Sequence, residues 1–198
     1  MRTIFFNTAW MKYYRGITID DKPRNGGKYV KENDDCAEIY NFTPVDTDNG
    51  LYCFGYGETI RSKEKGSSQL RIENIAVSAR NQDCMNDVLV VWCSTYEPKN
   101  YRVVGWYKNA TVFRYHQNDD YGLYIAHANS SDCVLLPEHV RLENEEWAVP
   151  RAKNTGYGFG QANMWYPDKY PAAQEWLKKL VKCIDNYDGD NWIEWRYL

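Results

Sequence analysis

Asp87-Val88-Leu89-Val90-Val91-Trp92-Cys93, a turn at Glu97-Pro98-Lys99-Asn100, and Tyr101-Arg102-Val103-Val104-Gly105-Trp106-Tyr107-Lys108 decide the fold class. The first run is continuously apolar and β-branched, as a strand buried on both faces requires. Two such runs around a short turn-rich linker predict a hairpin. Working outward, Thr3 to Asn7, Leu51 to Tyr56, Leu70 to Val77, Val112 to Tyr115, Tyr121 to Ala126 and Asp132 to Leu136 read as further short strands. Their regular spacing predicts a closed or nearly closed sheet. Pro171 to Tyr187 predicts a helix with Ala173, Trp176, Leu177, Leu180, Val181 and Ile184 on one face, begun by Pro171 and ended by Asp188-Gly189. The expected class is therefore α+β, a closed or nearly closed sheet with a C-terminal amphipathic helix.

The 198 residues suit one domain, or one domain with a helical appendage. With 43% hydrophobic and 26% charged residues, wholesale disorder and coiled-coil readings fall away. No apolar stretch approaches the roughly 20 residues of a spanning helix. Met1 to Asn7 lacks a cleavage site, so no signal peptide and a cytoplasmic location are expected. The six cysteines show no CxxC and no Cys/His zinc spacing, so neither metal nor cofactor is expected. Composition leans toward sheet through 8 Trp, 17 Tyr and 6 Phe.

Net charge is only -3, yet the charges cluster. Residues 10 to 31 hold six Lys/Arg against two Asp, and 99 to 116 hold four against none. One basic face is the electrostatic footprint of a protein that holds phosphates. Residues 149 to 161, glycine-rich and basic, read as an irregular loop, Asp20 to Gly27 as a polar loop with a tight turn at Asn25-Gly26, and Ser62 to Ser68 as a charged loop. His116, His127 and His139 sit in no metal pattern, and Gly156 to Gly160 lacks the Lys-Ser/Thr of a phosphate loop. The acidic pairs Asp20-Asp21 and Asp119-Asp120 lie in turns. Aromatics beside amides and cations remain: Trp10, Tyr13 and Tyr14 near Asn7 and Arg15; Trp106 and Tyr107 near Lys108 and Asn109; Trp165 and Tyr166 near Asn163. Rings that stack a base, amides that read its edge and cations on flanking phosphates are what binding an unstacked base needs. The competing reading is core aromatics of a Tyr-rich β protein.

The segment Val88 to Trp92 followed by Val103-Val104-Gly105-Trp106-Tyr107-Lys108-Asn109-Ala110 resembles the PUA-like superfamily, which includes EVE and YTH domains. Phe5 to Tyr14, Gly105 to Val112 and Val149 to Lys153 are also similar to the N-terminal region of bacterial proteins that carry an HNH nuclease domain further on. The resemblance implies an α+β, PUA-like mixed β-barrel with flanking helices over 1–167, then a C-terminal amphipathic helix and linker over 168–198 toward a nuclease domain absent here, as the apolar end suggests. It implies a non-catalytic targeting module of a modification-dependent restriction system that flips a methylated or hydroxymethylated base of DNA into an aromatic pocket. Asn7, Trp10, Tyr13, Trp92, Trp106, Asn109 and Trp165 are the expected pocket. Lys12, Arg15, Lys108, Arg114, Arg151 and Lys153 are the expected phosphate contacts. The alternatives are an RNA-binding module of the same fold, a nuclease using Asp119, Asp120 or His127, and a protein-docking role for helix 171 to 187.

Overall fold

The computed structural model describes residues 2–25, 36–61, 68–98 and 100–194. Gly26-Gly27, Lys99, most of the Ser62 to Ser68 loop and the end of the apolar tail lie outside these residues. The strands are β1 (Thr3–Thr8), β2 (Pro44–Thr47), β3 (Gly50–Gly55), β4 (Ile60–Arg61), β5 (Ser68–Gln69), β6 (Cys84–Glu97), β7 (Asn100–Asp119), β8 (Gly122–Asn129), β9 (Cys133–Leu135) and β10 (Met164–Trp165). The α-helices are α1 (Glu138–Glu143), α2 (Ala152–Thr155) and α3 (Gln174–Asp185). The result is a strand-dominated α+β fold.

One mixed sheet runs β10-β1-β6-β7-β8-β3-β2, with β9 also paired to β7. β1 runs parallel to β6, from Thr3 opposite Leu89 to Thr8 opposite Ser94. The β6–β7 hairpin forms as expected, and β7 continues through the segment read as a separate strand at Val112 to Tyr115. Among the described residues the sheet is open, with β10 and β2 at its ends, so the expected closure is corrected. Leu70 to Val77 is not a strand either: after Leu70 donates to the Arg114 carbonyl, the chain winds into 3₁₀ turns at Ile72–Asn74 and Val77–Ala79. The basic loop also contains α2, a single helical turn.

Alternation along the central strands splits the core in two. Ile4, Phe6, Val88, Val90, Trp92 and Tyr107 fill one cluster. Phe5, Val91, Cys93, Val103 and Trp106 fill the other, which α3 covers with Leu177, Leu180 and Ile184. The predicted helix thus forms, with 3₁₀ residues Pro171–Ala173 leading into it. Beyond it, the Asn191 side chain accepts from Leu135 N and donates to Cys133 O, and Trp192 N bonds Leu135 O, so this segment lies along β9 like a short extra strand. Trp192 and Ile193 then enter the first cluster.

Gly105 marks the tightest crossing. A Cβ there would lie 2.2 Å from the Val134 carbonyl oxygen and 2.7 Å from the Phe42 ring. Backbone cannot yield as a flexible side chain can, so Gly105→Ala is expected to destabilise the fold by about 2 kcal/mol or more, measured by urea denaturation. Lys179→Ala, on the exposed side of α3, should stay within about 0.5 kcal/mol.

Candidate nucleic-acid interface

After β1 the chain is held by two buried charges. The Arg141 guanidinium, fully buried, donates to the carbonyls of Leu136 (2.7 Å), Met11 (2.7 Å) and Lys12 (2.8 Å). It also lies 5.3 Å from the Trp10 ring. Burial pushes its pKa down to about 10, which still leaves it charged at neutral pH. From the opposite side the buried Asp21 carboxylate accepts from the backbone N–H groups of Lys12 (2.6 Å) and Tyr13 (2.7 Å). Held from both sides, residues 11–13 present Lys12 and Tyr13 outward. Tyr13 stacks on Trp192 at 5.1 Å, Lys12 Nζ sits 4.8 Å from the Tyr13 ring, and Arg15 donates to the carbonyls of Trp192 and Ile193. The same anchoring takes Trp10 inward, where its Nε1 donates to Glu138 at 3.1 Å.

The four tryptophans expected to wall one pocket do not meet in one. Their exposures are 0% for Trp10 and Trp92, 1% for Trp106 and 3% for Trp165, so none offers a face to a ligand here. Trp92 pairs with Gly105 and its neighbour Val91 with Trp106, which puts the two indoles on opposite faces of the hairpin. Trp92 stacks on Phe6 (5.2 Å), whereas Trp106 stacks on Trp147 (5.5 Å) beneath Tyr187. Trp165 is enclosed by Phe5, Phe159 and Trp176.

The other expected contacts divide. Asn109 is exposed at an irregular point of β7 with φ 50°, and Lys108 beside it pairs with Asp185 at 2.8 Å. Arg114 is 7% exposed and spent inside the fold, on Glu73 (2.8 Å) and the carbonyls of Ala79, Arg80 and Gln82. It is not presented to a phosphate.

Asn7, Arg151 and Lys153 are brought to one end of the sheet. Asn7 lies beside Cys93 in the parallel register, and its N–H donates to the Asn163 carbonyl at 2.8 Å. Its Oδ1 is sealed from solvent and meets no donor among the described residues. The 149–163 loop folds over this end because Gly158, at φ 108°, passes where a Cβ would lie 2.0 Å from the Pro150 oxygen. That turn pairs Phe159 with Arg151 and drops the Phe159 ring into the second cluster. The Arg151 guanidinium lies 3.9 Å from the Tyr101 ring, and Lys153 is exposed on α2.

Sequence reasoning missed the partners. Arg24 lies 5.6 Å from the Tyr96 ring, and Asn25, at φ 61°, donates to the carbonyls of Thr95 and Tyr96. The two arginine–tyrosine pairs stand on opposite faces near the tip of the β6–β7 hairpin: Tyr96 packs against the first cluster, whereas Tyr101 packs against the second, on the face that Asn7 shares with its register partner Cys93. Only the placement of Tyr96 and Tyr101 on either side of the predicted turn could have pointed to them.

Compared with family models, curated proteins and solved structures, this chain has no match. The site must be argued from its own atoms.

Two other places hold reactive residue types. A cleft of about 640 Å³ between α1 and the end of α3 is lined by His139, Glu146, Trp147, Lys182, Cys183 and Tyr187, among others. Burial and the neighbouring Glu146 push the Cys183 thiol up, so it stays protonated. Asp119 accepts from the Tyr124 hydroxyl (2.8 Å) and Tyr121 N (2.9 Å), and His127 stacks against Tyr52 and Phe54. No group of three or more His, Cys, Asp or Glu among the described residues could hold a metal ion.

Two measurements test these placements. Arg141→Met strands three carbonyls and should cost at least about 3 kcal/mol in urea unfolding. Burial lowers the pKa of both His116 and His127 below the ordinary 6.5. The unfolded chain therefore takes up protons first, and their contribution, complete above pH 6.5, is lost as pH falls toward the folded-state values. The urea midpoint should drop over that window, and the drop should shrink in His116→Asn/His127→Asn.

Proposed function

We propose that this chain is a nucleic-acid-binding module of the PUA-like kind that reads a modified base in DNA, the targeting part of a modification-dependent restriction system. It acts by binding and performs no cleavage itself. The observation that carries this reading is the unpartnered Asn7 Oδ1 at the end of β1, on the face that also carries the Arg151–Tyr101 pair. A buried acceptor without a donor costs about 1–3 kcal/mol, which a ligand donor recovers once the partly exposed Asn7 side chain turns its closed-off Oδ1 outward. An extruded base presents its Watson–Crick edge, where the amino groups of cytosine, adenine and guanine and the imino N–H of guanine and thymine all donate. Modified bases that keep an amino hydrogen, such as 5-methylcytosine, 5-hydroxymethylcytosine and N6-methyladenine, meet this requirement.

The buried tryptophans support the scaffold, and the stacking role passes to Tyr101, the accessible ring on the face of Asn7. Arg24, Arg151, Lys12 and Lys153 serve the phosphates. Extruding a base costs a few kcal/mol, and one aromatic stack returns about 1–3 kcal/mol. The edge contact and the modification then decide selectivity.

Fluorescence polarisation with matched short duplexes (plain, 5-methylcytosine, 5-hydroxymethylcytosine, N6-methyladenine) and single-stranded RNA, at two salt concentrations, tests this. One modified duplex should bind at least tenfold more tightly than the plain one. Asn7→Ala should bring that ratio toward one, while Arg151→Ala weakens both and flattens the salt dependence. Absence of binding to every duplex at low salt would falsify the reading, and a preference for single-stranded RNA would reassign the module to RNA.

A further inference from the structure

The half of the sheet that α3 does not cover carries a second surface. Cys53, Ala126 and Ala128 point into the first cluster, so alternation and register put Tyr52, Phe54 and His127 on the other face, with Phe113 beside them on β7. These rings pack chiefly on one another. Tyr52 stacks on His127 at 5.5 Å, Phe54 stacks on Tyr121 at 4.8 Å and 10°, and Phe113 meets His127 at 5.5 Å. Tyr121 is 40% and Leu123 47% exposed, and Tyr52, Phe54, Phe113 and His127 are half-buried. Because Phe54 and Tyr121 are already in van der Waals contact, no slot between them admits a base or a quaternary ammonium. The surface is a platform.

Its charge is one-sided. Residues 44–59, which carry β2 and β3, contain Asp46, Asp48 and Glu58 and no Lys or Arg. Residues 115–132, which carry the end of β7 and all of β8, contain Asp119, Asp120 and Asp132 and again no Lys or Arg. Aromatic faces edged by carboxylates attract guanidinium and ammonium groups and repel phosphate. The acids of this face are therefore the wrong sign for the ligand proposed for Asn7.

We propose that this aromatic face docks an arginine- or lysine-rich segment of a protein partner, whose cations stack over Tyr52, Phe54 and Tyr121 while their charge is met by Asp48, Asp119 and Asp120. The surface is separate from the hairpin end assigned to nucleic acid, so either reading can fail without the other.

The test uses the full chain and a fluorescein-labelled peptide of alternating Arg and Gly, read by polarisation at low and moderate salt. Asp48→Lys/Asp120→Lys changes only exposed turn residues and should weaken binding at least tenfold. Tyr121→Ala should weaken it about fivefold. Asp188→Asn/Asp190→Asn, an acidic pair beyond the end of α3, should leave it within twofold. Thermal midpoints of the variants establish that they are folded, and amide shifts of Leu123 and Asn129 on titrating the peptide locate the contact independently of any substitution. Three outcomes overturn the proposal: equal loss in the Asp188/Asp190 variant, which means unspecific attraction; an unchanged Asp48/Asp120 variant; or a single-stranded RNA that outcompetes the peptide and loses binding in Tyr121→Ala.

Discussion

A fully buried guanidinium ties the turn after β1 to α1. Arg141, on α1, is met by three carbonyls and the Trp10 ring, with no carboxylate in direct contact among the described residues. A cation in a dry interior is tolerated when it is hydrogen-bonded, as here where each of the three guanidinium nitrogens has an acceptor, and removing it strands those acceptors. The turn after β1 therefore cannot re-form with other hydrogen bonds, and Asp21 locks it from the other side. The position of Lys12, Tyr13 and Arg15 follows from that lock, as does the burial of Trp10. Arg114 repeats the device at the far end of the sheet, gathering the carbonyls of Ala79, Arg80 and Gln82.

Both arginines explain where sequence reading stopped. The run from Val88 to Cys93 is apolar at every position because it is buried on both faces, and that is legible from composition alone. The Pro171 to Tyr187 helix is legible for the same reason, its apolar stripe having one partner. Leu70 to Val77 alternates like a strand, yet it is bent into turns by an arginine more than thirty residues away. No local pattern records such a partner. The tryptophans misled in a related way: amides and cations adjacent in sequence are, on a strand, turned to the opposite face, and the hairpin register, with Gly105 opposite Trp92, separates Trp92 from Trp106.

The surroundings of Asn7 are half legible. Asn7, Arg151 and Lys153 are identifiable by residue type, but Tyr101 acquires meaning only when the 149–163 loop folds against the hairpin, and Tyr96, Arg24 and Asn25 meet on the opposite face. Of the glycines in the 149–161 loop, only Gly158 makes a close approach, and what it approaches is the chain's own Pro150 carbonyl, while Gly156 and Gly160 face open space.

Residues 191–193 form a mechanical joint. Asn191 fastens the segment to the free side of β9, Trp192 lies under Tyr13, and Arg15 grips the two following carbonyls. A load applied near Glu194 would pass into β9 and the Lys12–Tyr13 turn before it reached α3. The lie of residues 191–193 along β9 and the posture of the Lys12–Tyr13 turn are thus coupled, so displacing one strains the contacts that hold the other.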